Sequence, residues 1–337
     1  MESPARQGII ESWHGRTTRP VTSVLPDSVD TVMNATKTLP LVNEQRLYAA
    51  DSSKGAVLLA LHPAFGTASR AINTLPPGVY EGLRTFERTK FFGLRTHLDR
   101  LKDSVAGFRV PLAFDEDALV EALHATALDA TQCFDAEARI RVDICASPAT
   151  AFGSDSNILL GVSAYRGLPQ HVREHGAYLA TACGLRRPNP AVKTSDFIPL
   201  REAWIAAHGD PHAYEHLMLS PEGEILEGTQ SNICLVRDGV VYAAPSGVLP
   251  GVTQRTVLAL AREHGVEVRD EFVPFKDLKH FQEAFMTTSV RNVVPISRID
   301  EHRLPIPGPV TAKLSALYDA YSSADAVPAR ENRRAKR

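Results

Sequence analysis

One stretch of the sequence, Glu224 to Val257, combines residue types that can bind a phosphate. Its second half contains Leu249-Pro250-Gly251-Val252-Thr253 and continues with apolar residues at helical spacing. A Pro-Gly turn followed by threonine at a helix start presents free backbone N–H groups and a hydroxyl, which is a geometry that binds phosphate. The same pattern also describes an ordinary hairpin, turn and N-capped helix, and local physics alone favours this structural alternative.

The first half of the stretch predicts a β-hairpin. Two apolar runs, Ile233–Val236 and Val240–Ala244, are separated by Arg237-Asp238-Gly239. Asp-Gly between apolar runs is the strongest short-range hairpin signal, because both residues tolerate the backbone that a tight turn requires. We therefore expect a hairpin, then a turn, then a helix that begins near Thr253.

The order and spacing of these residues resemble the signature of the class IV aminotransferases, the fold-type IV pyridoxal-phosphate enzymes. The matching residues are Glu227-Gly228, Ser231-Asn232-Ile233, Asp238-Gly239, Leu249–Thr253 and Val257, with further matching segments from about residue 78 to about residue 318. The family includes branched-chain and D-amino-acid aminotransferases, (R)-selective amine transaminases and aminodeoxychorismate lyase. The resemblance implies a two-domain α+β fold, with a smaller N-terminal α/β domain and a larger C-terminal β-barrel-like domain with helices.

The resemblance places the cofactor-bound lysine at Lys193 and an acidic partner at Glu227. By composition Lys193 is the one lysine of a Pro-rich loop, for which simple surface exposure is the usual alternative. Its position before an apolar helix matches the family's Schiff-base lysine, which also moves a proton during the reaction. A carboxylate at Glu227 would raise the pKa of the cofactor's pyridine nitrogen by opposite-charge stabilisation.

The resemblance assigns the cofactor phosphate to four further residues. The guanidinium of Arg100, in the sequence His-Leu-Asp-Arg-Leu, suits a dianionic phosphate by geometry and charge. Without the neighbouring motifs, Arg100 would be an ordinary solvated arginine paired with Asp99 or Asp103. The other three are Val252, Thr253 and Ser289, the last of which stands where relatives place a phosphate-binding threonine.

The candidate substrate ligands are Tyr80, Arg139, Arg141, Val290 and Arg291. Tyr80 begins a Tyr-Glu-Gly-x-Arg strand that is similar to the branched-chain enzymes. Arg139 stands where these enzymes have tyrosine, and Arg291 where they have a small residue. The alternative for the arginines is that some face solvent or pair with Asp143. Buried unpaired arginines are costly without an anion, so we expect a carboxylated, branched-chain-like donor, 2-oxoglutarate as acceptor and poor reaction with simple amines.

Several alternatives to this function stay open on the sequence. Relatives often carry Asn and Tyr shortly after the lysine, whereas this chain has Asp196 and Phe197. Elimination of the aminodeoxychorismate-lyase type, or transamination of D-amino acids or (R)-amines, would keep Lys193 and Glu227 and change the product. A non-catalytic binding module would bind no pyridoxal phosphate, and the presence of the lysine, glutamate and phosphate-site residues favours an enzyme.

The elements that must position these residues divide the chain into four parts. Residues 1–38 are polar and predict a flexible extension, and residues 323–337 predict a disordered tail. Between them we expect a small α/β domain over residues 39–165 and a large cofactor-binding domain over residues 166–322.

Apolar spacing predicts three helices outside the central stretch, over residues 95–108, 115–128 and 308–321. A fourth helix follows Lys193, and its expected buried side carries Leu200, Ala203 and Ala206-Ala207.

The composition excludes several classes of function. A net charge of −2 and a pI of about 6.6 argue against a nucleic-acid or membrane surface as the main partner. No apolar run approaches the roughly 18 residues of a membrane helix. The cysteines, Cys133, Cys145, Cys183 and Cys234, lack metal-ligand spacing, so we expect no metal site and a cytoplasmic protein with reduced thiols. The resemblance also implies a homodimer, since relatives complete each active site with a loop of the other subunit.

Overall fold

The computed structural model describes residues 45–336, with side chains described through residue 332. All of these residues belong to one folded unit. The predicted flexible extension over residues 1–38, and the predicted start of the first domain at residue 39, lie outside the described residues.

The described chain forms sixteen strands and seven α-helices. As predicted, a smaller α/β part comes first in the chain and a barrel-like part follows. The strands are β1 (Gln45–Asp51), β2 (Gly55–Leu59), β3 (Val79–Arg84), β4 (Lys90–Phe91), β5 (Ala138–Ile144), β6 (Ile158–Ala164), β7 (Ala177–Thr181), β8 (Glu215–Leu219), β9 (Ile225–Gly228), β10 (Asn232–Arg237), β11 (Val240–Ala243), β12 (Val268–Asp270), β13 (Glu283–Thr288), β14 (Asn292–Ile299), β15 (His302–Arg303) and β16 (Val327–Pro328). The helices are α1 (Ala68–Ile72), α2 (Leu94–Ala106), α3 (Glu116–Cys133), α4 (Gln170–His175), α5 (Phe197–His208), α6 (Val252–Glu263) and α7 (Pro309–Ala324).

The smaller sheet is antiparallel and has the strand order β2-β1-β6-β5-β3. In β3, Val79, Glu81 and Leu83 alternate with half-buried residues, so one face of the strand turns to the core. Helix α3 covers this face, where Leu119 and Ile140 are fully buried. Burial of such a side chain contributes about 1.5–3 kcal/mol. Helix α1 covers the opposite face, against β1 and β6.

The larger sheet contains a closed ring of six strands, β10-β13-β14-β7-β8-β9, because β9 also pairs with β10. The pair that closes the ring joins Asn232 to Glu227. Apolar side chains fill the ring, among them Leu179, Leu217 and Met286. The closed ring and the smaller helix-covered sheet confirm the predicted α+β fold with a barrel-like C-terminal part.

The predicted hairpin is confirmed as β10 and β11. Asp238 and Gly239 have φ values of 52° and 80°, which are both in the left-handed region. Asp and Gly are the residues that a two-residue hairpin turn of this hand prefers. Helix α6 then begins at Val252, directly after Gly251.

The loop that carries Lys193 is fixed to the smaller sheet rather than to the barrel. The Lys193 carbonyl accepts a hydrogen bond from the Tyr80 amide at 2.9 Å, and the Ser195 amide donates to the Gly78 carbonyl at 2.9 Å. The Lys193 amide donates to the Ser104 hydroxyl of α2 at 3.2 Å. Residues at the start of β3 and on α2 therefore position the lysine between the two sheets.

Helix α5 differs from the prediction in the side that it buries. Leu200 is 46% exposed, and Ala203, Ala206 and Ala207 are exposed as well. The helix instead buries Phe197 in its first turn, in a cluster with Leu185 and Met218. The prediction of a buried Leu200 side was wrong, because the helix packs on the core through Phe197 and Trp204, which lie on another side of it.

The C-terminal residues also differ from the prediction of a disordered tail over residues 323–337. Helix α7 continues to Ala324, and β16 pairs with β4. Ala329 is fully buried, and Arg330 forms an ion pair of 2.6 Å with Glu121 of α3. The partners lie more than a hundred residues away, so the composition of the tail alone gives no signal of this packing.

Candidate active site

A cavity of about 430 Å³ lies between the smaller sheet and the barrel. Every predicted site residue except Arg141 lines this main cavity, namely Tyr80, Arg100, Arg139, Lys193, Glu227, Val252, Thr253, Ser289, Val290 and Arg291. Arg141 lines a second cavity that adjoins it. The structure thus brings together residues that are spread over most of the chain.

Lys193 faces the main cavity from the loop before α5. Its Nζ lies 4.9 Å from the centre of the Tyr80 ring. Burial lowers the pKa of Lys193, and the Arg100 and Arg187 charges lower it further, although Tyr80 and Glu81 act in the opposite direction. A lysine in this setting loses its proton more readily than a surface lysine, which is what a nucleophilic or basic amine requires.

Tyr80 brings a phenol to the wall beside Lys193. Burial alone would raise the pKa of Tyr80, but the positive charges of Lys193, Arg187 and Arg201 lower it overall. The sequence predicts Tyr80 as a substrate ligand, and it lacks the tyrosine that relatives carry after the lysine. In the structure a phenol reaches the lysine from β3 instead.

Glu227 is held in a fixed orientation by three donors. Its Oε1 accepts from Arg187 Nε at 3.2 Å, and its Oε2 accepts from the Leu249 amide at 3.0 Å and from Asn232 Nδ2 at 3.4 Å. Only 2% of Glu227 is exposed. Burial raises the pKa of this carboxyl, and the Arg187 guanidinium opposes that rise.

Asn232 joins the two halves of the predicted signature. Its Nδ2 also donates to the Leu249 carbonyl at 2.7 Å. A Cβ placed on Gly251 would lie 1.9 Å from Asn232 Oδ1, so no larger residue fits at that position without a shift of the backbone or of Asn232. The close approach explains why glycine follows the Leu-Pro pair before α6.

The N-terminus of α6 opens onto the main cavity through Val252 and Thr253. Among the described residues, no side chain caps this helix of twelve residues, so its first N–H groups have no capping partner there. The Thr253 hydroxyl lies 3.4 Å from the Tyr318 hydroxyl. Uncapped N–H groups at a helix start favour an anion, by hydrogen bonding and by the helix dipole.

Arg100 lies beside this helix start in a buried ion pair. Its Nε and Nη2 donate to the two Glu81 oxygens at 2.7 and 2.6 Å, and its Nη1 donates to the Pro250 carbonyl at 3.1 Å. Burial alone would raise the pKa of Glu81, but Arg100 and His97 hold it well below its usual range. Arg100 pairs with neither Asp99 nor Asp103 among the described residues, so the surface alternative does not hold for it.

The described residues fit the predicted cofactor. Three residues of the main cavity wall each carry a buried polar atom that has no hydrogen-bond partner among the described residues: Arg187 Nη1, Ser231 Oγ and Thr287 Oγ1. Buried polar atoms normally have partners, so unpaired donors around one cavity indicate a missing ligand. A phosphate accepts such hydrogen bonds, and the Lys193 amine, which has a lowered pKa, suits an aldehyde.

The three candidate arginines have different surroundings. Arg141 is buried and donates to Asp143 at 2.6 Å, which is the pairing that the sequence holds open as an alternative. Arg291 lies over the Tyr214 ring, with its Cζ 5.1 Å from the ring centre. Within residues 45–332, neither Arg139 nor Arg291 forms an ion pair with a carboxylate. Arg139 and Arg291 thus bring unpaired positive charge to the main cavity, and Arg141 does not.

The prediction from sequence missed four residues that shape the cavity: Glu81, Arg187, Ser231 and Thr287. Glu81 and Ser231 lie inside the matched motifs, so the resemblance itself could have indicated both residues. Thr287 alternates with apolar residues along β13, and this alternation could have indicated that its side chain faces inward. Arg187 lies in the Pro-rich loop, and nothing in its neighbourhood distinguishes it from Arg186.

Within the described part of the chain, no group of three or more His, Cys, Asp or Glu side chains could hold a metal ion. No helix there has both the length and the apolar character to cross a membrane.

Comparisons with known proteins identify the family. The family model for amino-transferase class IV matches residues 78–299. The branched-chain-amino-acid aminotransferase of Pseudomonas aeruginosa is 30% identical over 276 residues, which cover 72% of this chain and 82% of that protein.

Solved structures share the fold. A putative branched-chain amino acid aminotransferase from Thermotoga maritima has a TM-score of 0.63 at 27% identity and covers 83% of this chain and 96% of its own. An aminotransferase from Brucella abortus, bound to the cofactor PLP, has a TM-score of 0.64 at 24% identity and covers 82% of this chain and 99% of its own.

Proposed function

The chain belongs to the class IV aminotransferases, and from that premise we propose that it is a pyridoxal-phosphate-dependent transaminase for a branched-chain-like amino acid and a 2-oxo acid. One observation supports this most directly. A half-buried lysine with a lowered pKa, a buried carboxylate and an uncapped helix N-terminus line the same cavity. A lysine, a carboxylate and a phosphate site are the three parts that this chemistry requires.

Pyridoxal phosphate, when bound, supplies an aldehyde that takes up the amino group and a ring that withdraws electrons from the substrate. Lys193 is the residue that would carry it covalently, through Nζ. The lowered pKa keeps a larger fraction of this amine neutral, so that Nζ can attack a carbonyl carbon and later hold the proton of the substrate α carbon. Tyr80, beside Nζ, is the nearest phenol that can stabilise the charged form.

Glu227 and the phosphate residues hold and orient the cofactor. Glu227, when ionised, would stabilise a protonated ring nitrogen by charge. Its donors, Arg187, Asn232 and the Leu249 amide, prevent it from turning away. The N–H groups of Val252 and Thr253, the Ser289 hydroxyl and the remaining donor capacity of Arg100 would bind the phosphate. These contacts fix the reacting atoms without taking part in the chemistry.

The amino donor is proposed to carry a carboxylate that Arg139 or Arg291 binds. Each of these arginines lacks a carboxylate partner among the described side chains, and each lines the main cavity with Tyr80 and Val290. The name of the Pseudomonas relative supports a branched-chain-like side chain. Elimination, reaction with D-amino acids or (R)-amines, and a non-catalytic binding role are not favoured by these relatives.

A homodimer and a cytoplasmic location are part of the proposal. Helix α5 presents an exposed apolar side with Leu200, Ala203 and Ala206, which suits contact with a second copy of the chain. The four cysteines are all free, which suits a reducing compartment. Light scattering that gives a monomer in a fully active preparation would reject the dimer. We also propose a domain boundary near residues 166–169, between the last strand of the smaller sheet and the first barrel strand.

The donor is tested by a half-reaction screen of L-amino acids, D-amino acids and (R)-amines, followed by the absorbance of the bound cofactor. We expect L-leucine, L-isoleucine or L-valine to react fastest. If (R)-1-phenylethylamine reacts faster than every amino acid, Arg139 and Arg291 are wrongly assigned as the residues that bind the substrate carboxylate. A second readout does not need turnover: borohydride reduction followed by peptide mapping should label Lys193, and a label on another lysine would overturn its role.

A further inference from the structure

A second cavity of about 280 Å³ adjoins the main cavity and is unusually basic. The two cavities share Tyr80 and Arg139 in their walls. Lys193 lines only the main cavity, and Arg141 only the second, while Lys193 Nζ and Arg141 Cζ lie 4.9 and 5.1 Å from the centre of the same Tyr80 ring. Tyr80 therefore stands between the reacting amine and the second cavity.

Four arginines from three different elements line the second cavity: Arg70 of α1, Arg139 and Arg141 of β5, and Arg201 of α5. The only acidic residue in its described wall is Glu202. Glu202 lies 3.6 Å from Arg201, and its side chain is 63% exposed, so it screens Arg201 weakly. Arg141 is neutralised by Asp143 from behind the wall.

The positive charge that remains belongs to Arg70, Arg139 and Arg201. Within residues 45–332, neither Arg70 nor Arg139 has a carboxylate partner. Burial lowers the pKa of Arg139, and the charges of Arg291, Arg141 and Arg201 lower it further. Like charges gathered around one cavity repel each other, and an anion between them removes that cost.

We propose that the second cavity binds the distal acid group of a dicarboxylic substrate whose side chain is longer than that of glutamate. The proposal rests on the transamination proposed above, since the α carbon of the substrate must lie at Lys193. An acid group that reaches Arg291 stays in the main cavity, and one that reaches Arg139 lies where the two cavities meet. To reach Arg70 or Arg201, which line only the second cavity, the side chain must extend past Tyr80. A guanidinium binds a carboxylate through two parallel hydrogen bonds, so two such residues give both affinity and direction.

The test compares L-aspartate, L-glutamate, L-2-aminoadipate and L-2-aminopimelate with L-leucine and L-norleucine, in the half-reaction of the holoenzyme. For the wild type, we expect kcat/KM to rise from glutamate to one of the two longer acids. Arg201→Gln and Arg70→Gln should each lower kcat/KM for that acid about tenfold, through KM, and leave leucine within about twofold. Arg201→Lys should keep part of the preference, and Arg269→Gln, at an exposed surface position, should change nothing.

Two results would overturn the proposal. One is a wild type that prefers glutamate to both longer acids. The other is an equal loss for leucine and the long acid in Arg201→Gln and Arg70→Gln, which would mean that the arginines only support the structure. The melting temperature of each variant identifies a folding defect.

A binding measurement separates this proposal from the proposed function. Calorimetric titration of the holoenzyme with pimelate and with hexanoate requires no reaction. If no amino acid reacts but pimelate binds about tenfold more tightly than hexanoate and loses this advantage in Arg201→Gln, the proposed function fails and the anion site stands. If leucine reacts but pimelate has no advantage, the anion site fails and the proposed function stands.

Discussion

The two halves of the main cavity differ in how their charges are balanced. In the paired half, which we define as Glu81, Arg100, Arg187 and Glu227, each charged side chain is buried and faces a partner of opposite charge. In the unpaired half, which we define as Arg139 and Arg291, no described carboxylate pairs with either guanidinium.

The difference shows which half is built before a ligand arrives. Paired groups with several hydrogen bonds keep their orientation, so the paired half can fix a cofactor that stays bound through many turnovers. Unpaired arginines gain most of their interaction energy only when an anion arrives, so the unpaired half can select a substrate and release its product. Changes in the paired half should therefore affect folding and cofactor chemistry, and changes in the unpaired half should affect substrate affinity.

The largest effect should come from Lys193, which stands between the two halves. Lys193→Ala removes both the covalent attachment and the proton carrier, so transamination should fall by at least about 10⁴-fold. The half-reaction rate and borohydride labelling measure this loss. Lys279→Ala, at an exposed position, is the matched control and should keep full activity. A Lys193→Ala enzyme with more than about 1% of wild-type turnover would remove the lysine from its central role.

The next largest effect concerns the stability of the paired half. Glu81→Gln leaves Arg100 buried without a counter-charge, which should lower the free energy of unfolding by about 3–5 kcal/mol. Denaturant unfolding measures the change. Asp99→Asn breaks an exposed ion pair with Arg95 on the same helix and should cost at most about 1 kcal/mol. Equal losses in the two variants would mean that the buried pair has no special importance.

The same variant should have a defined pH dependence. Glu81 has a folded pKa below its ordinary value of 4.5, so the unfolded chain binds more protons in acid and the wild type loses stability there. The contribution of Glu81 is fully present above about pH 4.5 and is lost as the pH falls through the lower folded pKa. The difference between wild type and Glu81→Gln should therefore stay constant from neutral pH to about pH 4.5 and shrink below it.

A third prediction concerns chemistry rather than folding in the paired half. Glu227→Gln should keep the cofactor but lower turnover about 100-fold, because a neutral amide stabilises a protonated ring nitrogen poorly. Cofactor absorbance measures retention, and the half-reaction measures turnover. Glu222→Gln, on an exposed turn, is the control. Turnover within about threefold of the wild type, which is less than 1 kcal/mol of barrier, would show that Glu227 only supports the structure.

The two halves also differ in how far the sequence predicts them. The hairpin turn at Asp238-Gly239 and the start of α6 after Gly251 depend on neighbouring residues, and both were predicted correctly. The resemblance gave the cofactor positions, and the structure explains their spacing, since Asn232 contacts both Glu227 and Leu249.

What the sequence did not predict depends on distant contacts. Asp143 pairs with Arg141 and not with Arg139, although the three residues alternate along β5 and so share one face of the strand. The partner of Glu227 is Arg187, from a loop without a distinctive pattern. The packing of β16 on β4 joins segments far apart in the chain. Periodicity describes one element at a time, so it contains no information on these pairings.

The smallest effect on stability should come from the unpaired half, and it tests the comparison most sharply. Partial burial and the like charges of Arg291, Arg141 and Arg201 lower the pKa of Arg139, but the residue is exposed to solvent, so screening leaves only a small cost to the folded protein. Arg139→Gln removes that repulsion and should leave the free energy of unfolding unchanged or raise it by up to about 1 kcal/mol. The same variant should raise KM for carboxylate substrates about tenfold with little change in kcat, since it removes an interaction made with the bound substrate. Arg269→Gln, at an exposed position, should alter neither quantity. A loss of several kcal/mol in Arg139→Gln would contradict the division into halves, because Arg139 would then be a structural residue like Arg100.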